Sequence, residues 1–69
     1  MPGTAAANVR AELARRRITR TQLSEAVGMG RESLSRRLRD ETDFTVTEIT
    51  AIADYFGMPV CDLLEGAAS

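Results

Sequence analysis

Two helix signatures separated by only Gly28-Met29-Gly30 constrain this chain more than any other feature. Thr19 and Gln22 have the spacing of a capping box, in which the hydroxyl accepts from the backbone N–H three residues on and the Gln side chain reaches back. Ile18 and Leu23 flank them as a hydrophobic staple, so the helix opened there is predicted over Arg20 to Val27. Gly28 follows where a helix closes in the left-handed conformation. Gly30 then serves as the next N-cap, with Met29 and Leu34 at the staple positions. Leu34 and Leu38 share one face at the i, i+4 spacing, which sets the following helix at Arg31 to about Arg39. A turn this short cannot lay two helices antiparallel; it forces a steep crossing.

The same signals recur on both sides. Val9 and Leu13, with Ala5 and Ala6 one turn earlier, mark a first helix with Thr4 as N-cap and an end near Arg16. Thr45 with Glu48 is a second capping box, and Phe44 with Ile49 a second staple. The helix that follows, Val46 to Phe56, buries Ile49, Ile52, Ala53 and Phe56 as one stripe and ends at Gly57. Pro59 suits the first turn of a fifth helix through Glu65, with Val60, Leu63 and Leu64 inward. No segment alternates as a strand does. The expected fold is all-α: a compact bundle of about five short helices over residues 5–65, with flexible tails at 1–4 and 66–69.

Composition narrows the function. A chain of 69 residues forms one domain, near the lower size limit for an unaided core, and with no Trp that core must come from aliphatic side chains. There is no His, so nucleophile–imidazole pairs are missing, and one Cys without His excludes ordinary zinc spacing. An enzyme is not expected, nor a metal or other cofactor. Cys61 stands alone, which fits a reducing cytosol, and it reads as a small buried hydrophobe. No apolar run reaches the roughly 18–20 residues of a membrane span, and the N-terminus lacks the regions of a secretory signal. A cytoplasmic location is expected.

The net charge of −1 hides a sharp division. All nine basic residues are Arg and lie between Arg10 and Arg39, where three acids, Glu12, Glu25 and Glu32, leave a balance of +6. From Asp40 onward there are seven acids and no base. Such asymmetry points to a basic face for a polyanion, against the plainer alternative of two solvated faces that happen to segregate.

The crossing helices carry this further. The second helix of a helix-turn-helix pair can enter a DNA major groove and present its N-terminal residues to base edges. Arg31, Glu32 and Ser33 occupy those positions, with Arg36 about one and a half turns on. Arg bonds both major-groove acceptors of guanine, and Glu accepts from the cytosine amino group.

From Val9 to Leu64 the chain resembles the Cro/lambda-repressor-like helix-turn-helix family, also called XRE. One block of the likeness runs from Thr19 to Leu38, through Thr19-Arg20-Thr21-Gln22-Leu23-Ser24-Glu25-Ala26-Val27-Gly28, and a second from Thr45 to Val60. The resemblance implies base contacts from Arg31 and Glu32, the first two recognition-helix positions, and from Arg36, the sixth; Ser33 joins them as a candidate reader. It implies a phosphate grip at Arg20, with Thr19, Thr21, Arg37 and Arg39 as further phosphate candidates. Leu23, Val27, Met29 and Leu34 match the apolar positions that hold the motif together. Three positions depart from the pattern. Ser24 stands where Ala is usual, Asp40 where Gly commonly closes the third helix, and the loop at 40–43 is acidic where the family is often basic or neutral. The implied function is a sequence-specific regulator bound to double-stranded DNA, a repressor of the phage or bacterial type, acting as a homodimer. The alternative is a protein-interaction module, an antitoxin or adaptor, that docks a partner through the acidic loop.

Overall fold

A computed structural model describes residues 4–64 as five helices with no strand among them: α1 (Thr4–Arg16), α2 (Arg20–Val27), α3 (Arg31–Leu38), α4 (Val46–Phe56) and α5 (Val60–Leu64). The tails expected at 1–4 and 66–69, and Glu65 at the end of the fifth helix, lie outside the described residues except for Thr4. That residue is already the first of α1, not its cap. Helix α2 packs on α3 and α4, α1 on α3 and α5, and α4 on α5. Val9, Leu13, Leu23, Leu34, Leu38, Ile49, Ile52, Ala53, Phe56 and Leu63 meet in one core, with Ile18, Val27, Met29 and Phe44 packed against it. The staple residues therefore sit where their spacing places them.

Two expectations for α5 fail. Leu64 is 54% exposed, and Cys61 is exposed as well. The helix is only five residues long, and Leu63 fills the core from it with Val60 half-buried alongside, so their neighbours face outward. No helix of the described residues is long and apolar enough to cross a membrane.

Four helices end in one way. A residue one position past α1, α2 and α4, and two past α3, lies in the left-handed region: Arg17 (φ 57°), Gly28 (φ 74°), Asp40 (φ 68°) and Gly57 (φ 70°). The next residue's N–H then reaches back five positions, as in Ile18 to the Leu13 carbonyl (2.9 Å) and Glu41 to the Arg36 carbonyl (2.9 Å). This Schellman geometry satisfies carbonyls that the helix leaves open and turns the chain sharply. It lets eight-residue helices stack with three-residue turns.

Helix α1 ties the others together through side chains. The Asn8 amide donates to the Leu63 carbonyl (2.7 Å), and the Arg10 guanidinium to the Leu38 carbonyl. Arg16 donates to the Phe56 carbonyl (2.8 Å), with its guanidinium 4.9 Å from the Phe56 ring centroid. Both Arg15 and Arg16 pair with Glu12, which is only 8% exposed. Arg16 thus braces α1 against α4, while Arg15 stays exposed and pairs within its own helix.

Candidate nucleic-acid interface

The site is built from two helix N-termini. At α2 the capping box is complete: the Thr19 hydroxyl accepts from the Gln22 N–H (3.0 Å), and the Gln22 side chain accepts from the Thr19 N–H (2.8 Å). That leaves the N–H groups of Arg20 and Thr21 pointing outward along the helix axis. At α3, Gly30 is extended and offers no side-chain cap, and the first internal bond is Leu34 N–H to the Gly30 carbonyl (3.0 Å). The N–H groups of Arg31, Glu32 and Ser33 are therefore also free to face a ligand. Each N-terminus carries the positive end of its helix dipole and suits an anion.

Between them lies an open concavity of about 500 Å³ lined by Arg20, Thr21, Arg31, Glu32, Ser35 and Arg39. Three guanidinium groups and two hydroxyls thus face one carboxylate. Ser35 went unremarked in the sequence as a site residue; its i+4 relation to Arg31 was the signal that places both on one face. The candidate base readers Arg31, Glu32, Ser33 and Arg36 are all exposed along α3, and Thr19, Arg20 and Thr21 are exposed at α2.

The model of the Cro/C1-type HTH DNA-binding domain family matches residues 8–67. The chain belongs to that family. Neither the curated proteins nor the solved structures compared with it include a match. In this Cro/C1-type domain α2 and α3 are the helix-turn-helix.

The domain's arginines divide by partner. Arg37 stands apart from the other phosphate candidates. Its guanidinium bonds Glu48 on α4 (2.7 Å) and the Ser33 carbonyl (3.1 Å), and its side chain is only 18% exposed. It links α3 to α4. Arg36 pairs with Glu32 one turn back (3.2 Å) and Arg39 with Glu41 (3.0 Å), both on the open surface. Arg17, Arg20 and Arg31 are exposed and form no ion pair among the described residues; the last two line the concavity. Ser24, the family's usual Ala, is buried and donates its hydroxyl to the Thr21 carbonyl (2.9 Å), so the polar group has a partner.

Glu48 serves two elements with one oxygen. Its Oε1 accepts from the Thr45 N–H (2.9 Å), completing the α4 capping box, and from Arg37 Nε. Burial alone would raise the Glu48 carboxyl; the Thr45 N–H and the Arg37 guanidinium outweigh it and hold the group below its ordinary value.

Proposed function

We propose that this Cro/C1-type domain is a repressor of the phage or bacterial kind, which acts by occupying an operator and excluding polymerase. The observation that carries the reading is the exposed, polar N-terminal half of α3 beside the unpaired Arg20 and Arg31, a surface suited to base edges and backbone phosphate together. Arg31, Glu32, Ser33 and Arg36 are the proposed base readers. Arg20 grips phosphate with the α2 N-terminus, helped by Thr21, by the Thr19 hydroxyl proton and by Arg39. Two copies would bind half-sites about one helical turn apart, roughly 34–36 Å centre to centre. The acidic loop, the main support for a protein-docking alternative, turns Glu41 toward Arg39 within the molecule. We therefore adopt the DNA reading.

Selection of bound sites from random duplexes, with sedimentation of the complex, tests it. Replacing Arg36 by Ala should cost about 1–3 kcal/mol at the selected site and relax the base preference there. Arg20→Ala should weaken all duplexes alike and lower the salt slope by about one unit. Equal losses on selected and random DNA for Arg36→Ala would remove it from the readers. No binding to any duplex at low salt would overturn the function itself.

A further inference from the structure

Glu32 is an unusual neighbour for a helix that meets DNA. It lies in the first turn of α3, on the rim of the arginine-lined concavity, and its carboxylate bonds Arg36 Nη2 at 3.2 Å. Both side chains are exposed, 78% for Glu32 and 55% for Arg36, so water and salt hold the pair's strength low. Such a pair opens when a better arrangement is offered and stays closed when none is.

We propose that Glu32 is a specificity-determining residue that acts by competing with DNA for Arg36. The inference rests on the DNA reading above. Opening the pair leaves two groups to satisfy. A phosphate satisfies Arg36 alone and strands the Glu32 carboxylate against a polyanion. A site that offers guanine to Arg36 and a cytosine amino group to Glu32 satisfies both. Glu32 therefore costs affinity on every sequence except one with that pair of bases, which is discrimination by a repulsive element. The second exposed pair supplies a contrast. Glu41 holds Arg39 at 3.0 Å, but Arg39 lies past the end of α3 and its proposed target, phosphate, is present in every sequence.

The experiment compares Glu32→Gln, Glu41→Gln and the parent on the selected site and on random duplex across a range of salt. Glu41→Gln frees one phosphate-contacting arginine. It should steepen the salt slope by about one unit and tighten both duplexes by a similar factor, roughly tenfold at about 0.1 M salt. Glu32→Gln should tighten random duplex by a comparable factor but not the selected site, so the ratio between them falls roughly tenfold. In an Arg36→Ala background, Glu32→Gln should tighten random duplex by clearly less than in the parent, because the arginine it released is gone and only the carboxylate's direct repulsion of phosphate is relieved. Matching thermal melts for all variants confirm that the changes are not in folding. A ratio that Glu32→Gln leaves unchanged, or a full effect that persists without Arg36, overturns the proposal while leaving DNA binding intact. If the parent binds no duplex, the functional reading falls and the proposal falls with it.

Discussion

Individual side chains in this domain have roles that their identities only partly reveal. Arg17 is one of three consecutive arginines and reads as a solvated cation, yet its backbone adopts a left-handed φ of 57° to close α1. A residue with a Cβ is disfavoured there by roughly 1–2 kcal/mol, and glycine gives back part of that through its freer unfolded chain. Arg17→Gly should therefore stabilise the domain by about 0.5–1 kcal/mol, measured by urea denaturation. Destabilisation would mean that the Arg17 side chain contributes packing or charge that outweighs its strained backbone. Arg37 presents the reverse case. It looks like one more groove-facing cation, but folding pairs it with a carboxylate eleven positions along the chain.

At the scale of the element, α3 is held from behind and left open in front. Leu34 and Leu38 bury fully in the core, while Gly30 provides no cap for the N–H groups ahead of it. Leu34→Ala should cost about 2–5 kcal/mol in thermal or chemical denaturation, through lost burial and the cavity left behind. For a domain of 69 residues that approaches the whole of its stability. A melt within a few degrees of the parent would mean α3 is not anchored there. The front of the helix makes a different prediction. Gly30 has an ordinary φ of −67°, and a Cβ there would meet only Ser33 Oγ at 3.9 Å, so a side chain fits. Gly30→Asp should cap α3 and complement its dipole, raising stability by about 0.5–1 kcal/mol. The same carboxylate would occupy the donors proposed to face DNA and repel its phosphates, so binding should weaken on every duplex. A variant that gains stability and keeps its affinity would show that the α3 N-terminus does not meet the backbone.

Across the whole molecule, charge is more evenly matched than the division of the sequence suggests. Glu12 engages Arg15 and Arg16, and Glu48 reaches across from α4 to Arg37, so much of the N-terminal positive excess goes into bracing helices. Of the exposed arginines without an ion pair among the described residues, Arg20 and Arg31 line the concavity between α2 and α3, and Arg17 lies apart from it. This arrangement makes stability depend on acid. The Glu48 carboxyl titrates lower in the folded chain than its ordinary value of 4.5, so its contribution is complete above that value and is lost as pH falls through the folded one. Melting temperature should fall as pH drops below the ordinary value of 4.5, and Glu48→Gln should flatten part of that fall while lowering stability at neutral pH. An unchanged acid profile in the variant would assign the loss to other carboxylates. The Arg37–Glu48 link joins α3 to α4, so the acid-weakened state is also one in which α3 is less firmly held.

How much of this was legible in the sequence follows from the range of the interactions. Capping boxes, staples and glycine stops act within four or five residues, so Thr19, Gln22, Gly28, Thr45, Glu48 and Gly57 declared their helices without reference to the rest of the chain. The core stripes followed from periodicity, and the exposed polar face of α3 from what those stripes left over. Contacts between distant residues were not legible. The pairing of Arg37 with Glu48, the bracing of α1 by Arg16 on Phe56, the burial of Glu12 and the outward turn of Leu64 and Cys61 all depend on which surfaces meet once the helices pack. The left-handed closure at Arg17 belongs with them, because no local preference asks for it. Tertiary packing fixes where α2 must start, and the chain takes the strained turn that reaches it. Local physics wrote the helices and their i, i+4 ion pairs into the sequence, and packing decided which arginines would be drawn into bonds between helices.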